Sequence, residues 1–352
     1  MLTLVRGGMG GTETYAQALT EQLALSSAVR AEAFLPASAR GFSRGIPERL
    51  VQRLNGGPGT RQRLLQMAKI TARSGDLRRK MAEADVVHYP FTVALPAPSS
   101  GQAAVQTLHD VQHLDLPHLF SKSELIYRHK FYEGFAKRAD AVITISHFAK
   151  QRMVDRLGLD PARIFVAHLG VDTDRYVPNL GPRENFVLYP ARGWPHKNHA
   201  RLVTAVEIAR KTVPGLRLVL TGGGLDQLGD LPDWVDRKGF VDQSELQDLY
   251  RAAAALIFPS LYEGFGLPPL EAMASGCPVA VSREGSLPEI VGRAAVQFDP
   301  HEPAAIAGAI IEAIRRTDEL QAAGVLRAKE FTWESCREAH VQAYSAAVQN
   351  RR

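Results

Sequence analysis

Two glutamates lie eight positions apart in the segment Glu263–Glu271, on either side of a glycine-containing turn. A turn of this kind between a strand and a helix exposes backbone N–H groups to phosphate or sugar oxygens. The donors of this turn belong to Gly264, Phe265, Gly266 and Leu267. Carboxylates suit vicinal diols, so one glutamate can bind sugar hydroxyls and the other a ribose. The alternative is a surface pair of glutamates, favoured near a helix start by the helix dipole.

Two further loops carry groups that suit a diphosphate. Arg192 and Lys197 follow the apolar run Phe186–Tyr189, and two cations there can clamp a diphosphate and stabilise its charge as it leaves. Near the N-terminus, Gly10 and Gly11 belong to a glycine-rich turn that lets backbone approach phosphate closely. Its spacing is not G-x-G-x-x-G, and no acidic residue ends a second strand, which argues against an NAD enzyme.

Short apolar runs alternate with longer amphipathic segments, which predicts parallel sheets covered by helices. The strands predicted in the first half are Leu2–Val5, Ala31–Leu35, Val86–Tyr89, Ala104–Leu108, Ala141–Ile145 and Ile164–Ala167. The helices predicted there are Thr12–Ala24, Gln62–Ala82, Ser123–Ala136 and His147–Leu157, with 36–62 as a loop. In the second half the strands are Phe186–Tyr189, Leu216–Thr221, Val235–Lys238, Ala255–Pro259 and Pro278–Val281. The helices are Asn198–Thr212, Gln243–Ala253, Leu267–Ser275, Ala304–Arg315 and Trp333–Gln349.

A stretch with two prolines and no periodicity, residues 171–184, reads as a linker between the halves. We therefore predict an α/β protein with two Rossmann-like domains, residues 1–172 and 183–330, that face each other across a cleft. The final helix, within 331–352, is expected to pack back on the first domain. Ligands of such sheets bind beyond the carboxyl ends of the strands, which places the active site in that cleft.

Composition narrows the class of protein. With 352 residues, 45% of them hydrophobic and 22% charged, the chain is typical of a soluble protein of two domains. Only two cysteines occur, without a CxxC pair, so we expect neither disulfides nor a zinc site and favour the cytoplasm.

Residues 40–80 hold eleven Lys or Arg and two acids, which suits a solvated helical face or contact with anionic lipid. No motif indicates nucleic acid.

Taken together, these motifs identify a family. The Glu263…Glu271 pair, the Arg192…Lys197-Asn198 loop and Gly10-Gly11 resemble the retaining group 1 glycosyltransferases, family 4, of the GT-B fold. The resemblance covers essentially the whole chain, and the residues around His109 are similar to those of mannosyl- and rhamnosyltransferases. Members of this family usually have several more residues before the glycine loop, so we expect the chain to begin at a late start codon.

The resemblance implies a role for each motif. Glu271 would bind the ribose, Glu263 the donor sugar, and Arg192 with Lys197 the diphosphate. His109 would contact the donor sugar in the active site, and Gly10 and Gly11 would face phosphate and acceptor. The reaction implied is transfer with retention, without a metal or cofactor, in which the leaving diphosphate helps to deprotonate the acceptor.

Several other patterns are interpreted as structural. Asp172-Thr173-Asp174 spells a metal-binding Asp-x-Asp, yet it lies in the predicted linker. The set His109, Asp110, His113, Asp115 and His118 matches no known metal site, and we expect it to belong to a loop that lines the cleft. Ser146 is expected to cap a helix, and Cys277 to be a core thiol.

The function predicted is transfer of a hexose to a hydroxyl of a glycan, lipid-linked or small-molecule acceptor. The first candidate for the hexose is mannose, with GDP-mannose as the donor. The alternatives are a phosphorylase-like enzyme on the same fold and a non-catalytic nucleotide-sugar binder. We expect a cytoplasmic protein that takes part in polysaccharide biosynthesis, and residues 40–80 suit a peripheral contact with the membrane.

Overall fold

A computed structural model describes residues 1–5, 7, 10–54 and 60–351 of the chain, and it leaves the side chains of residues 60 and 61 undescribed. It divides into two compact units. Unit 1 comprises Met1–Gly170 and Trp333–Arg352, and unit 2 comprises Val171–Thr332. The sequence predicts one domain over residues 1–172, a second over residues 183–330, and the final helix within residues 331–352. Among the described residues, no helix is both long and apolar enough to cross a membrane.

Unit 1 contains two parallel sheets. Its strands are β1 (Ala33–Pro36), β2 (Glu48–Val51), β3 (Val86–Tyr89), β4 (Ala103–Thr107), β5 (Ala141–Thr144) and β6 (Ile164–Val166). Its first helices are α1 (Gly11–Ala24), α2 (Thr60–Ala72), α3 (Ser74–Lys80), α4 (Gln112–Asp115), α5 (Lys122–Arg128), α6 (Gly134–Ala136) and α7 (His147–Leu157). Strands β3 to β6 pair in sequence order, and β1 pairs with β2. Strands β4 and β5 are buried along their whole length, as the interior strands of a parallel sheet must be when both faces are covered.

The predicted strand Leu2–Val5 is wrong. The segment instead begins with a turn, in which the Leu4 N–H donates to the Met1 carbonyl at 3.2 Å. The Leu2 carbonyl accepts from the side chain of Gln66 on α2 at 2.8 Å rather than from a neighbouring strand. Leu2 and Leu4 are buried, at 4% and 2% exposure. The apolar pattern therefore predicted the burial of this segment correctly, but not its backbone conformation.

Two predicted helices of unit 1 are interrupted. The single helix expected over Gln62–Ala82 is two helices, because Arg73 leaves helical geometry (φ −103°, ψ 10°) before Ser74-Gly75, and both of these residues are weaker helix formers than alanine. The helix expected over Ser123–Ala136 contains a π-helical turn, His129–Glu133, between α5 and α6. Strand β2, which follows Pro47, was not predicted because its sequence Glu-Arg-Leu-Val shows no clear alternation.

Unit 2 is built on one six-stranded parallel sheet, in the order β12-β11-β10-β7-β8-β9. The strands are β7 (Glu184–Pro190), β8 (Arg217–Thr221), β9 (Val235–Gly239), β10 (Ala253–Phe258), β11 (Val279–Ser282) and β12 (Val296–Phe298). The helices are α8 (His199–Ala209), α9 (Gln243–Ala252), α10 (Leu267–Ala274), α11 (Leu287–Val291), α12 (Pro303–Arg315) and α13 (Thr317–Ala328). Strand β10 is buried throughout, whereas the edge strand β9 carries exposed charges, which discourage pairing with another chain.

The last helix, α14 (Trp333–Arg351), belongs to unit 1. Its residues Cys336, Ala343 and Ala347 are buried in one apolar cluster with Val105 of β4 and Ile143 of β5. Small residues at these helix positions let α14 lie close to the sheet. The return of this helix to the first unit and the two Rossmann-like parallel sheets confirm the predicted fold class.

Candidate functional site

The turn after β10 is shaped by glycine. Gly266 has φ +114°, and a Cβ there would lie 2.8 Å from Cδ2 of Leu287, so an alanine would be both strained and crowded. Helix α10 begins immediately afterwards, with prolines in its first turn, where no backbone donor is needed. The backbone of residues 264–267 therefore stands at the N-terminal end of α10, as predicted.

A second loop, after β11, fixes the position of Glu263. The Ser286 N–H donates to the Glu263 carbonyl at 3.1 Å, and the Ser286 hydroxyl donates to the Phe265 carbonyl at 2.6 Å. Gly285 has φ +66°, and a Cβ there would come within 2.6 Å of the Glu263 carbonyl oxygen. Gly285 and Ser286 thus support the Glu263 loop, a role that sequence reasoning did not find because it depends on a contact between distant segments.

Lys197 and Glu263 form an ion pair within unit 2. The Lys197 Nζ donates to Glu263 Oε1 at 2.5 Å, and each side chain is 13% exposed. The ammonium also lies 5.6 Å from the centre of the Phe258 ring. Because an ammonium has three donors, Lys197 can keep this pair and still bind a phosphate oxygen. The structure thus brings together two residues that were predicted to act on one donor.

The loop that carries Lys197 is held at several points. The Tyr189 hydroxyl donates to the Lys197 carbonyl at 2.7 Å. Asn198 adopts a left-handed conformation (φ +63°), and its amide donates to the carbonyls of Pro259 at 3.1 Å and Pro300 at 2.8 Å. The short 3₁₀ turn Pro195–Lys197 precedes it. These contacts set the position of Lys197 before any ligand binds.

Arg192 stands at the end of β7 beside two exposed aromatic rings. Its guanidinium lies 5.4 Å from the Trp194 ring centre and 6.0 Å from that of Phe240. No carboxylate of the described residues forms an ion pair with Arg192. Its charge is therefore available to an anion, whereas the charge of Lys197 is shared with Glu263.

Glu271 lies on the first turns of α10 against two tyrosines. The Tyr250 hydroxyl donates to Glu271 Oε2 at 3.0 Å. Burial raises the pKa of the Glu271 carboxyl to about 7, while hydrogen bonds from Tyr176 and Tyr250 act in the opposite direction. A carboxyl with this pKa is half ionised near neutral pH. The tyrosine partners were not predicted, since they come from the linker and from α9.

The pKa of Glu271 predicts how nucleotide-sugar affinity changes with pH. In the predicted ribose-binding role, an ionised Glu271 carboxylate can accept hydrogen bonds from both ribose hydroxyls, whereas the protonated carboxyl has lost part of that capacity. Affinity should therefore fall by up to about tenfold as pH is lowered from about 8 to 6, through the raised pKa. Calorimetric titration at several pH values measures this change, and Glu271→Gln should bind weakly with no such pH dependence. An equal pH dependence in both proteins would remove Glu271 from the site.

In unit 1, His109 follows β4. The ring Nε2–H donates to the Pro90 carbonyl at 3.2 Å, because a carbonyl can only accept, and this leaves Nδ1 as an acceptor. The Thr144 hydroxyl donates to the His109 carbonyl at 3.2 Å. Burial lowers the pKa of the His109 imidazole, so the ring is neutral at pH 7. A neutral ring whose Nδ1 is an acceptor suits a sugar hydroxyl donor.

The two N-terminal glycines lie at the start of α1. Gly10 precedes the helix with φ +56°, a conformation that favours glycine, and its carbonyl accepts from the Glu13 N–H at 2.8 Å. Both Gly10 and Gly11 are exposed, and among the described residues beyond its chain neighbours and its own helix backbone, no atom lies within 4 Å of a Cβ built on Gly11. The rest of this motif, residues 8 and 9, lies outside the described residues.

The patterns interpreted as structural are occupied by protein contacts. The Asp172 carboxylate accepts from the N–H groups of Asp174 at 3.2 Å and Arg175 at 3.1 Å, which closes a turn. In the histidine-rich loop, Asp115 pairs with Arg152 and Arg156 on α7, and His113 pairs with Glu133. The five residues of that loop therefore do not converge on one point.

The cap and the core thiol are confirmed. The Ser146 hydroxyl accepts from the Ala149 N–H at 3.1 Å and caps α7. Burial raises the pKa of the Cys277 thiol to about 12, so the reactive thiolate is absent at neutral pH.

Comparisons with known proteins agree with the resemblance seen in the sequence. Residues 171–328 match the family described as glycosyl transferases group 1, and residues 9–175 match glycosyltransferase family 4. The O-antigen chain mannosyltransferase B of Escherichia coli is 30% identical over 69% of this chain and 70% of its own length. The MMP alpha-(1->4)-mannosyltransferase of Mycolicibacterium hassiacum is 31% identical over 60% of this chain and 56% of its own length.

Solved structures show the same fold at lower identity. A sucrose-phosphate synthase from Thermosynechococcus elongatus has a TM-score of 0.72 at 21% identity, over 96% of this chain and 93% of its own. A glycosyltransferase from Rickettsia africae has a TM-score of 0.70 at 16% identity, over 97% of this chain and 96% of its own. The protein is thus a glycosyltransferase of the GT-B fold, and it belongs to the group 1 glycosyltransferases of family 4.

Proposed function

We propose that this glycosyltransferase moves a hexose to a hydroxyl group of a glycan, lipid-linked or small-molecule acceptor. The first candidate for the hexose is mannose, with GDP-mannose as the donor. The observation that carries the proposal is the Lys197–Glu263 pair beside the glycine turn at the start of α10. Along one edge of one sheet, it combines a cation suited to phosphate, a carboxylate suited to sugar hydroxyls and the backbone N–H groups of the turn. Mannose is favoured because two similar proteins are named mannosyltransferases.

In the proposed reaction, unit 2 binds the nucleotide sugar. Glu271 accepts hydrogen bonds from the ribose, and Glu263 accepts them from the sugar. The backbone N–H groups of Gly264, Phe265, Gly266 and Leu267 bind sugar and phosphate oxygens at the positive end of the α10 dipole. Arg192 and Lys197 bind the diphosphate and stabilise the charge that develops as it leaves.

Unit 1 supplies His109 together with the Gly10-Gly11 turn. Through Nδ1, His109 accepts a hydrogen bond from a hydroxyl of the donor sugar, and the turn faces phosphate and acceptor. We propose retention at the anomeric carbon, with the leaving diphosphate as the base that takes the acceptor proton. No metal ion or other cofactor takes part in this scheme. Positioning and charge stabilisation supply most of the rate enhancement.

A panel of nucleotide sugars tests this proposal. Thermal unfolding is followed with GDP-, UDP-, dTDP- and ADP-sugars, each with and without EDTA. A ligand at about 100 times its dissociation constant stabilises a fold by about 2.7 kcal/mol, which raises the unfolding temperature measurably. We expect a shift with GDP-mannose that EDTA does not remove. A shift that depends on magnesium, or none with any member, would contradict the proposal.

We also propose a cytoplasmic protein that touches the membrane surface through residues 40–80 in polysaccharide biosynthesis. On α2, Leu64 and Leu65 are 50% and 62% exposed beside Lys69. Part of the basic charge of this stretch is paired, since Arg44 contacts Glu21 and Arg49 contacts Glu32. Co-sedimentation with anionic and neutral vesicles tests the contact, which requires binding to the anionic ones alone.

A further inference from the structure

Five side chains of unit 1, three of them buried and two half-buried, form a continuous chain of hydrogen bonds between the sheet and α14. The Tyr344 hydroxyl lies 2.9 Å from His88 Nδ1, and His88 Nε2 lies 2.8 Å from Thr107 Oγ1. Thr107 Oγ1 lies 2.8 Å from the Tyr15 hydroxyl, which lies 2.7 Å from His340 Nε2. His340 Nδ1 lies 2.7 Å from the Cys336 carbonyl oxygen. We call this set the relay.

The direction of every bond in the relay follows from its last member. A carbonyl oxygen only accepts, so His340 Nδ1 carries the proton and Nε2 must accept from the Tyr15 hydroxyl. The Tyr15 oxygen then accepts from Thr107, whose own oxygen accepts from His88 Nε2–H. The remaining nitrogen, His88 Nδ1, accepts from Tyr344. Both imidazoles are thereby held in one tautomer each.

The relay disfavours a charged imidazole. A second proton on either ring would reverse the adjoining hydroxyl hydrogen bond and place a positive charge in a site largely shielded from water. Burial lowers the pKa of His340 to about 4 and that of His88 well below its ordinary value. Tyr15, Thr107 and His340 are buried, so no water replaces a lost partner at low cost.

The relay reaches the predicted active-site histidine through Tyr15. The Tyr15 ring meets the His109 imidazole edge to face, with centres 5.1 Å apart and an interplanar angle of 88°. Thr107 lies two residues before His109 at the end of β4, so the relay also fixes the backbone that carries His109. The hydrogen bond from His109 to the Pro90 carbonyl fixes the position of one ring nitrogen, Nε2.

We propose that Tyr15 is a positioning residue for His109, and that its orientation is fixed by the relay from α14. The inference rests on the proposed role of His109 in the transfer reaction. It gives the C-terminal helix a part in the reaction, although neither His340 nor Tyr344 need touch a substrate. This role leaves no local pattern in the sequence, because the Tyr15–His340 hydrogen bond joins residues 325 positions apart.

Tyr15→Phe and Tyr89→Phe form a matched pair for the test. Each removes one buried hydroxyl of unit 1, since the Tyr89 hydroxyl donates to the Pro96 carbonyl at 2.6 Å. Only Tyr15 belongs to the relay and contacts His109. We expect similar losses in unfolding temperature for the two variants. We expect kcat to fall about tenfold in Tyr15→Phe and less than about twofold in Tyr89→Phe, with the donor KM unchanged in both.

Nitrogen-15 NMR of the histidine side chains supplies a measurement that needs no activity. In the unmodified protein, His340 should be the Nδ1–H tautomer and His88 the Nε2–H tautomer. The His109 pKa should change in Tyr15→Phe and not in Tyr89→Phe. His340→Gln, whose amide oxygen can accept from Tyr15, should preserve the His109 pKa better than His340→Leu.

Each outcome has one meaning for the proposal. The opposite tautomers would overturn the relay, and an unchanged His109 pKa in Tyr15→Phe would overturn the positioning role. Parallel losses of kcat in the two tyrosine variants would also overturn that role. If the unmodified protein shows no turnover with any nucleotide sugar, the proposed function fails, while the NMR comparison still decides whether Tyr15 positions His109.

Discussion

Replacing Lys197 by alanine is expected to slow turnover by at least about 30-fold, a loss of ~2 kcal/mol of transition-state stabilisation. Lys197 is held by Glu263, by the Phe258 ring and by a backbone fixed through Tyr189. A cation that is already in position stabilises the leaving diphosphate without reorganisation, which is why its loss should lower kcat. Release of nucleoside diphosphate from the nucleotide sugar measures the effect.

Lys238→Ala is the matched control for this variant. Lys238 also belongs to unit 2 and forms one ion pair, with Glu245 at 3.0 Å, but its side chain is 33% exposed. An exposed pair of this kind contributes about 0–1 kcal/mol, so turnover should remain near normal. Near-normal turnover in Lys197→Ala as well would reject the role of Lys197 in the reaction. Unfolding curves of both variants separate loss of chemistry from loss of fold.

Replacing Gly193 by alanine is expected to destabilise unit 2 by about 2–4 kcal/mol and to weaken donor binding. A Cβ on Gly193 would lie 2.1 Å from the Gly224 carbonyl oxygen, so the loops after β7 and β8 would have to separate. They are tied by the Gly193 N–H, which donates to the Gly223 carbonyl at 3.0 Å. Because Arg192 is the preceding residue, any movement of this loop displaces its guanidinium.

Gly308→Ala tests whether crowding at Gly193 is the cause. Gly308 lies within α12, where no atom comes within 4 Å of an added Cβ. Alanine there should be neutral or stabilising by up to about 1 kcal/mol, because glycine is a poor helix former. Calorimetric unfolding of the two variants gives the comparison. Equal stability of both variants would show that the loops after β7 and β8 can separate at little cost in free energy. The close approach of Gly193 to Gly224 would then not contribute to stability.

Local pattern predicted most elements of the fold, and its errors have identifiable causes. Val86–Tyr89 and His147–Leu157 have the predicted bounds, because one is a short apolar run and the other an amphipathic segment behind a serine cap. Strand Val296–Phe298 and helix Thr317–Ala328 were not predicted. The strand is three residues long, too short for a period to show, and the helix buries few apolar side chains.

The sequence predicted which residues belong to the candidate site, but it did not predict the contacts between them. Glu263 and Lys197 were selected for their charges, yet their ion pair joins positions 66 apart and follows only from the order of the strands. The support from Ser286 and the tyrosines around Glu271 likewise comes from other loops. Such contacts leave no local period in the sequence, so they could be found only once the sheet was known.

Hydrogen exchange read by mass spectrometry, with and without the nucleotide sugar that binds best and in the presence of EDTA, tests the donor site most directly. Backbone amides bound to phosphate or covered by ligand should exchange more slowly. We expect slower exchange in residues 190–198 and 263–271 on addition of the ligand. Slower exchange confined to other segments, or seen only when magnesium is supplied, would contradict it.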